Sequence, residues 1–370
     1  MRRLTVVQLL PALHSGGVER STLEIAGALV AAGHRSIVIS AGGRLLGRLL
    51  ATGSEHIELP VGSKSLLAAP GTMRRLRAEL ARIRPDIVHA RSRLPAWLAW
   101  FALRGLPAPR PHFVTTVHGL NSPGRYSGIM RRGECVICVS DTVREHVLRH
   151  WPDTDPAALR VIPRGIDPDQ FPRGHQAPES WRIAFAREFP ALQGGRLLLM
   201  PGRGTRLKGH ADAIALLASL REAGEDARLW LPGTREPGRE AYVAELEALA
   251  RERAVLDHLV ISPPRHDIVE AYAVADLVLQ LSKKPEAFGR TVIEALSVGR
   301  PVLGWDHGGV GELLRALYPR GAVRPGDPAA LLETARAMLS GPPPMPVTIP
   351  HTLAAMQSAT LETYAGLVHR

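Results

Sequence analysis

The sequence predicts an α/β protein with two Rossmann-like domains, each built on a parallel β-sheet. Three observations lead to this prediction. The 370 residues exceed the length that a single hydrophobic core usually serves. Short apolar runs alternate with helical patterns, which is typical of parallel sheets covered by helices on both faces. The alternation stops at residues 163–178, a polar segment rich in proline and glycine, and then begins again.

The first half of the chain contains five apolar runs that we predict to be strands. Helical patterns separate them, and GVERSTLEIAGALVAAG is the first of these. Apolar runs of four to eight residues at such spacing favour buried parallel strands. The predicted strands are LTVVQLLP, SIVIS, DIVHA, HFVTTVHG and CVICVS.

The second half repeats this alternation. Two of its helical patterns are long, GHADAIALLASLREAG and REAYVAELEALARERA, and another begins after Phe288. We therefore expect one domain at residues 1–167 and a second at residues 168–345. The predicted strands of the second domain are RLLLMPGR, ARLWLPG, LVIS, LVLQLS and PVLGW.

The C-terminal segment, residues 346–370, is predicted to cross back to the first domain. Residues 340–350, SGPPPMPVTIP, cannot form the interior of a helix or sheet, because proline lacks an N–H donor and fixes φ. The helical pattern HTLAAMQSATLETYAGLV follows them.

The composition is that of a globular protein, with 45% hydrophobic and 22% charged residues. No uncharged apolar run reaches about 18 residues, and Met1-Arg2-Arg3 leads directly into a predicted strand. We therefore expect neither a spanning helix nor a signal peptide, and a location in the cytoplasm.

Positive charge is concentrated in the first half. Residues 1–180 contain 24 Lys and Arg against 14 Asp and Glu, a net charge of +10, whereas residues 181–370 have a net charge of +1. This asymmetry favours an anionic partner, either nucleic acid or a membrane surface, although a coding bias toward arginine would give the same result. Residues 72–85 also form an amphipathic helical pattern with five arginines outside its apolar stripe.

Two motifs that could indicate redox or metal chemistry are interpreted as structural. Cys135 and Cys138 lie in a strand-like run, where positions three apart point to opposite faces, whereas a redox pair begins a helix. The triplets DTD (153–155) and DPD (167–169) lie in proline-rich turns, where aspartate is common. We expect no metal site and no cofactor.

Two glycine-rich loops follow predicted strands. In LHSGGVERS, the pair Gly16-Gly17 would let a backbone approach a ligand closely, although the loop lacks the features of a P-loop. In PGRGTRLKGH, Arg203, Arg206 and Lys208 lie on one loop. Such a group of cations suits a diphosphate, and the alternative is a solvated basic turn.

Two glutamates, Glu286 and Glu294, flank the predicted start of the helix after Phe288. A carboxylate can accept hydrogen bonds from vicinal hydroxyl groups, so this pair could hold two sugar rings with a diphosphate on the helix N–H groups between them. A sugar nucleotide has that layout. Taken alone, the pair could also be solvated helix charge.

Six segments, in order over most of the chain, together resemble the retaining glycosyltransferases of family four, whose GT-B fold has two facing Rossmann domains. The most specific segment is KPEAFGRTVIEALSVGRPVLGWDHGGVGELL, in which two glutamates eight positions apart flank Phe-Gly. The other segments are HSGGVERS, PDIVHARS, CVSDTVREHV, VIPRGIDPDQF and PGRGTRLKGH.

The resemblance implies roles for individual residues. Glu286 would contact the transferred sugar, and Glu294 would hold the nucleotide ribose. Arg203 and Lys208 would bind the diphosphate. The other donor-binding residues that it implies are Gly16 and Gly17, which would face the reaction centre, and Ala287, Phe288 and Gly289.

The resemblance also implies that His118, at the end of a strand, lies beside the anomeric carbon and donates a hydrogen bond to the sugar. Without the resemblance, a histidine at the end of a strand is about as often a hydrogen-bonded structural residue as a residue of a functional site. Two positions depart from the family pattern: Arg164 replaces a common asparagine, and Pro263 replaces a common glycine in the loop that contacts the base. The identity of the base therefore stays open.

The expected function is transfer of a sugar, with retention and without a metal, from a nucleotide-sugar to a glycolipid or oligosaccharide acceptor. The likeness to bacterial enzymes of lipopolysaccharide and glycolipid assembly implies peripheral association with the anionic inner membrane. A sugar-nucleotide epimerase of the same fold is one alternative. A nucleic-acid-binding protein is another, but aromatic residues make up only 5% and no basic run is interleaved with them. The sugar, nucleoside, acceptor and linkage stay open.

Overall fold

The structure is a computed structural model that describes residues 2–14, 16–65, 67 and 69–369. The chain divides into two compact units. Unit 1 contains the described residues up to Arg164 together with those from Leu353 onward, and unit 2 contains Gly165–Thr352. The predicted boundaries after residues 167 and 345 lie near these divisions.

Unit 1 is built on a seven-stranded sheet. Its strands are β1 (Thr5–Leu9), β2 (Arg35–Ser40), β3 (Glu55–Glu58), β4 (Ile87–Ala90), β5 (His112–Val117), β6 (Cys135–Cys138) and β7 (Leu159–Val161). They pair in parallel in the order β3-β2-β1-β4-β5-β6-β7. The helices between them are α1 (Gly17–Ala31), α2 (Leu46–Ala51), α3 (Ala69–Ile83), α4 (Arg93–Arg104) and α5 (Asp141–His150).

Unit 2 begins with helix α6 (Glu179–Glu188) and has a six-stranded sheet. Its strands are β8 (Arg196–Leu199), β9 (Ala227–Pro232), β10 (Leu259–Ser262), β11 (Leu277–Gln280), β12 (Val302–Trp305) and β13 (Ala322–Val323). They pair in parallel in the order β10-β9-β8-β11-β12-β13. The other helices are α7 (His210–Glu222), α8 (Glu240–Glu252), α9 (Ile268–Val274), α10 (Arg290–Val298), α11 (Gly308–Leu317) and α12 (Pro328–Ser340).

The two parallel sheets with their helices confirm the predicted fold class. Three strands, β3, β7 and β13, were not predicted from the sequence, and each lies at the edge of its sheet. An edge strand pairs on one side only and is less covered than a central strand, so it can be short and partly polar. The sequence EHIE of β3 is an example, since none of its residues is buried.

Each sheet has one point at which the strand order reverses. In unit 1 this point lies between β1 and β4, and in unit 2 it lies between β8 and β11. The loops that follow these two strands leave the same edge of the sheet in opposite directions, which opens a crevice where open α/β sheets bind ligands. In unit 2 these loops contain Lys208 and Glu286.

The cysteines and the amphipathic segment lie where the sequence predicts them. Cys135 and Cys138 are buried in β6, and burial raises the pKa of the Cys138 thiol to about 12, so this thiol is unreactive. The segment at residues 72–85 forms most of α3. Its apolar positions Leu76, Leu80 and Ile83 are buried.

The last helix, α13 (Leu353–Val368), crosses back to unit 1 as predicted. Met356, Tyr364 and Leu367 belong to the same hydrophobic core as residues of β1, α1 and β6. The Tyr364 side chain is 0% exposed, and its hydroxyl group lies 2.6 Å from Nδ1 of His89 in β4. The C-terminal helix therefore completes the core of the first unit.

We predict that Tyr364→Ala lowers the free energy of unfolding by about 3–5 kcal/mol, because a large aromatic side chain leaves a cavity. Tyr364→Phe should cost about 1–3 kcal/mol, because it leaves Nδ1 of His89 buried without its partner. Urea denaturation measures both changes. Ala354→Ser, at an exposed position of the same helix, is the control and should change little. An unchanged stability in Tyr364→Ala would contradict this role of α13.

Candidate active site

The loops after β8 and β11 are joined by an ion pair. Lys208 Nζ lies 2.7 Å from Glu286 Oε1. The Ser282 hydroxyl group also donates to Glu286, and the N–H of Lys283 donates to the carbonyl oxygen of Leu207 at 2.8 Å. Residues 78 positions apart in sequence thus form one polar group at the switch point of unit 2.

Glycine makes this approach possible. Gly209 has φ +81°, and a Cβ atom there would overlap the carbonyl oxygen of Leu281. On the other side of the loop, a Cβ at Gly308 would lie 2.7 Å from the carbonyl oxygen of Glu286. The N–H of Gly309 donates to that same carbonyl oxygen at 2.8 Å. The start of α11 therefore supports the backbone that presents Glu286.

Helix α10 begins directly after the Glu286 loop. Phe288 is buried, and Gly289 caps the helix with φ +124°. The first N–H groups of a helix lack intrahelical acceptors and attract anions. Ala287, Phe288 and Gly289 therefore lie between the Glu286 carboxylate and a helix N-terminus, as the sequence predicts.

Glu294 lies in the second turn of α10 and is only 8% exposed. Its Oε2 accepts a hydrogen bond from the Tyr272 hydroxyl group at 3.0 Å. Tyr272 is itself buried in α9, and the sequence analysis did not identify it as a site residue. The two glutamates thus contact different partners: Glu286 contacts a lysine, and Glu294 contacts a tyrosine.

The other two cations of the β8 loop are arranged differently. Arg206 pairs with Glu245 of α8 and lies over the Tyr242 ring, 5.4 Å from its centroid. Arg203 is exposed, and its side chain has no recorded partner within residues 2–14, 16–65, 67 and 69–369. The structure therefore joins Lys208 to Glu286, ties Arg206 to a neighbouring helix and leaves Arg203 at the surface.

The glycine pair of the first loop lies at the N-terminus of α1. Gly16 caps the helix with φ +138°, and a Cβ there would lie 2.6 Å from Oε2 of Glu19. Apart from its chain neighbours and the backbone of its own helix, no described residue has an atom within 4 Å of the Cβ position of Gly17. Ser15 of this motif lies outside the described residues. Gly16 therefore serves the local geometry, while Gly17 has open space beside it.

His118 follows β5, and its Nδ1 accepts a hydrogen bond from the guanidinium group of Arg164. A guanidinium group can only donate, so the proton of the neutral ring lies on Nε2. This Nε2 is buried, and it has no hydrogen-bond partner within the described chain. Burial, followed by the positive charges of Arg164 and Arg91, holds the pKa of His118 well below its usual range. His118 is therefore a neutral donor with an unused N–H group.

A buried polar network lies beside His118 in unit 1. His89 contacts Tyr364 and Thr116 at 2.6 Å each, and Arg91 donates to the Gln8 side-chain oxygen at 2.6 Å. The sequence analysis did not identify these residues as functional. The sequence feature that could have identified them is the pair of polar residues His89 and Arg91 at the end of an apolar strand.

The aspartate triplets take part in local contacts. Asp153 pairs with Arg131 at 2.6 Å, and the carboxylates of Asp155 and Asp167 accept N–H groups two residues ahead. Among the described residues, no group of three or more His, Cys, Asp or Glu side chains could hold a metal ion.

Two family models match the chain in succession. The model for Glycosyltransferase Family 4 matches residues 15–170, and the model for Glycosyl transferases group 1 matches residues 183–349. The first match lies in the first half of the chain, which contains the His118 network. The second contains the loops of Lys208 and Glu286.

Related proteins cover different shares of the chain. A D-inositol 3-phosphate glycosyltransferase of Xylanimonas cellulosilytica is 29% identical over 253 residues, which span 64% of this chain and 59% of the relative. A GDP-mannose-dependent alpha-(1-6)-phosphatidylinositol dimannoside mannosyltransferase of Mycobacterium tuberculosis is 28% identical over 357 residues, which span 89% of this chain and 85% of the relative. The chain thus spans about three fifths of the first relative's length.

A solved structure matches the whole chain. The crystal structure of a glycosyltransferase from Rickettsia africae has a TM-score of 0.83 and 26% sequence identity to this protein. The match covers 100% of this chain and 99% of the other chain. Both units are therefore present in a protein of similar architecture.

We predict that nitrogen-correlated NMR spectra show a neutral His118 ring, with its proton on Nε2, at about pH 6.5, where a free histidine is half protonated. Arg164→Met should raise the His118 pKa, because a neighbouring positive charge is removed. The pKa should stay below about 6.5, because the ring remains buried. Arg160→Met, at an exposed position of β7, is the control. A His118 resonance that titrates normally in the wild type would contradict the assignment.

The lowered pKa of His118 also determines how the stability of the folded protein changes with pH. The unfolded chain titrates this histidine near pH 6.5, while the native ring stays neutral, so the unfolded state binds more protons below that pH. The contribution of His118 to stability should therefore decrease as the pH falls below about 6.5.

Proposed function

The chain belongs to glycosyltransferase family four and has its GT-B fold, and on this premise we propose that it transfers a sugar from a nucleotide-sugar donor to a glycolipid acceptor with retention of configuration. The observation that carries the proposal is the contact of Lys208 with Glu286 beside the N-terminus of α10. It places a cation, a carboxylate and a helix N-terminus at one switch point, and these groups are complementary to a sugar diphosphate.

The donor diphosphate would bind to Lys208, Arg203 and the N–H groups at the start of α10. When the nucleoside diphosphate leaves, negative charge develops on its terminal phosphate, and these groups would stabilise that charge without a metal ion. Glu286 neutralises the charge of Lys208 in the structure. A bound diphosphate would compete for the ammonium group and release the carboxylate for the hydroxyl groups of the sugar.

Glu294 would hold the nucleotide ribose. Its buried carboxylate is oriented by Tyr272, so little side-chain entropy would be lost when it accepts hydrogen bonds from ribose hydroxyl groups. We propose that His118 donates its unused Nε2–H to a hydroxyl group of the sugar. A neutral ring supplies this hydrogen bond without acting as a base.

The proposed acceptor is a glycolipid. The relative from Mycobacterium tuberculosis is named for phosphatidylinositol dimannoside, which is a glycolipid, and it matches 89% of this chain. The net charge of +10 in residues 1–180 is complementary to an anionic membrane. Because of this charge, we propose peripheral association with the cytoplasmic face of the inner membrane. Among the described helices, none combines the length and the apolar content of a membrane span.

A thermal-shift screen with UDP-, GDP- and ADP-sugars tests the donor class. A ligand present at about 100 times its dissociation constant adds about 2.7 kcal/mol to the stability of the folded protein. One nucleotide should therefore raise the melting temperature clearly more than the others. Product analysis with that donor distinguishes transfer to an acceptor from epimerisation of the sugar. No shift with any nucleotide-sugar would refute the proposal.

We predict that Lys208→Ala and Glu294→Gln each weaken binding of the free nucleoside diphosphate by about ten- to hundredfold, because each removes a hydrogen bond to a charged group. Glu286→Gln should chiefly slow sugar transfer. Arg206→Ala is the control in the same loop, since Arg206 already pairs with Glu245. Titration calorimetry measures the affinities. If Glu286→Gln and Glu294→Gln lower the affinity equally, the two roles are not separate.

We also predict that transfer continues in excess EDTA. In our proposal Lys208, Arg203 and backbone N–H groups stabilise the negative charge of the leaving group, so no metal ion is needed. The rate of donor turnover before and after chelation measures this. Loss of turnover that Mg²⁺ or Mn²⁺ restores would show that a metal ion is required.

A further inference from the structure

The outer side of α4 has a cluster of aromatic rings. Trp97, Trp100 and Phe101 contact one another with ring centroids 5.0 to 5.9 Å apart. The backbone carbonyl oxygen of Tyr126 accepts a hydrogen bond from Trp97 Nε1 at 3.0 Å, which places Tyr126 beside this cluster. Phe101 is 47% exposed and Tyr126 is 50% exposed. We call these four rings the aromatic face of α4.

Arginines cover this face. The guanidinium carbons of Arg104 and Arg132 lie 4.5 and 5.4 Å from the Trp100 ring centroid, and that of Arg93 lies 5.2 Å from the Tyr126 ring centroid. Arg93 also donates to the Ser127 hydroxyl group at 3.2 Å. None of the three arginines forms a salt bridge within the described part of the chain. The aromatic face therefore has a net positive charge.

The sequence shows only part of this arrangement. Residues 93–104 contain three of the rings and two of the arginines, whereas Tyr126 and Arg132 lie 22 and 28 positions after Arg104. The fold brings Arg104 and Arg132 to the same Trp100 ring.

We propose that the aromatic face of α4 docks on an anionic phospholipid surface. Tryptophan and tyrosine prefer the headgroup level of a membrane, where one end of the ring is apolar and the other is wet. The three arginines, which form no salt bridge within the described residues, would bind lipid phosphates. Each basic side chain near an anionic leaflet adds to the attraction. The proposal deepens the proposed function and rests on it, because a glycolipid acceptor would lie in the same membrane.

The geometry favours a lipid surface over two other partners. Stacking of nucleic-acid bases requires free ring faces. Here Trp97 and Phe101 are stacked on each other with an interplanar angle of 23°, and arginines cover Trp100 and Tyr126. A second copy of the chain would bring the same positive charges together, which opposes self-association.

Helix α3, which packs against α4, contributes differently. Leu76, Leu80 and Ile83 of its apolar stripe are buried, so they are not available to lipid. Arg77 of α3 donates to the carbonyl oxygen of Phe101 at 3.4 Å. The exposed Arg74 and Arg75 add positive charge to unit 1 without adding apolar contact. The apolar contact with lipid is therefore expected from the aromatic face of α4 and not from α3.

The test is flotation of the full chain with two kinds of vesicle, phosphatidylcholine alone and an equal mixture of phosphatidylcholine and phosphatidylglycerol. The wild type should bind only the mixed vesicles, and binding should fall steeply between about 0.1 M and 1 M salt. Phe101→Ser with Arg104→Gln should weaken binding at least about tenfold, because it removes an apolar anchor and a positive charge.

A matched control lies on α6 in unit 2. Ile183 is 47% exposed, as Phe101 is, and the adjacent Arg182 is also exposed. Ile183→Ser with Arg182→Gln should leave vesicle binding within about twofold of the wild type. Because Phe101 packs on other rings, Arg104→Gln with Arg132→Gln serves as a second variant that keeps all four rings and removes two positive charges, and it should also weaken binding.

Equal binding of the wild type to both vesicles, or unchanged binding in both variants of the aromatic face, would overturn the proposal. So would self-association that disappears in the Phe101 variant, or displacement of vesicles by a single-stranded oligonucleotide. The vesicles contain neither donor nor acceptor, so their result is independent of the nucleotide-sugar screen. Failure of docking is therefore distinguishable from failure of the proposed activity.

Discussion

The reversal of strand order beside β8 is the constraint on which the candidate donor site depends. Because β9 and β11 lie on opposite sides of β8, the loops after β8 and β11 leave one edge of the sheet side by side. This is why Lys208 and Glu286, 78 positions apart, form an ion pair. Unit 1 has the same arrangement at β1 and β4, where Arg91 contacts Gln8. In both units the polar contacts follow from the topology.

The site also requires that backbone segments of neighbouring loops approach one another closely. The loop of Glu286 is enclosed by glycines from two other segments, Gly209 and Gly308, and a side chain at either position would collide with backbone atoms. The glycines thus fix where the carboxylate lies, while Ser282 and Lys208 fix its orientation. The Glu286 carboxylate is therefore held in one orientation beside Lys208.

Unit 1 differs from unit 2 in its electrostatics. It has an excess of positive charge, and the histidine proposed to contact the sugar is neutral. Burial and the guanidinium groups of Arg164 and Arg91 achieve this, since both disfavour the protonated ring. Arg164 therefore also selects the tautomer that leaves the Nε2–H of His118 free. An arginine at this position is thus compatible with the role proposed for His118.

The sequence by itself determined the two-unit α/β fold, the buried strand of Cys135 and Cys138 and the helix start after Gly289, because these features depend on local hydrophobic period and on the preferences of glycine and proline. Only the tertiary structure decided that Lys208 rather than Arg206 meets Glu286, that Tyr272 orients Glu294, and that Arg132 lies over the Trp100 ring of α4. These contacts join residues that are distant in the chain, so no local pattern encodes them. The edge strands β3, β7 and β13 were missed for a related reason: pairing with a neighbour, and not their own apolar content, makes them strands.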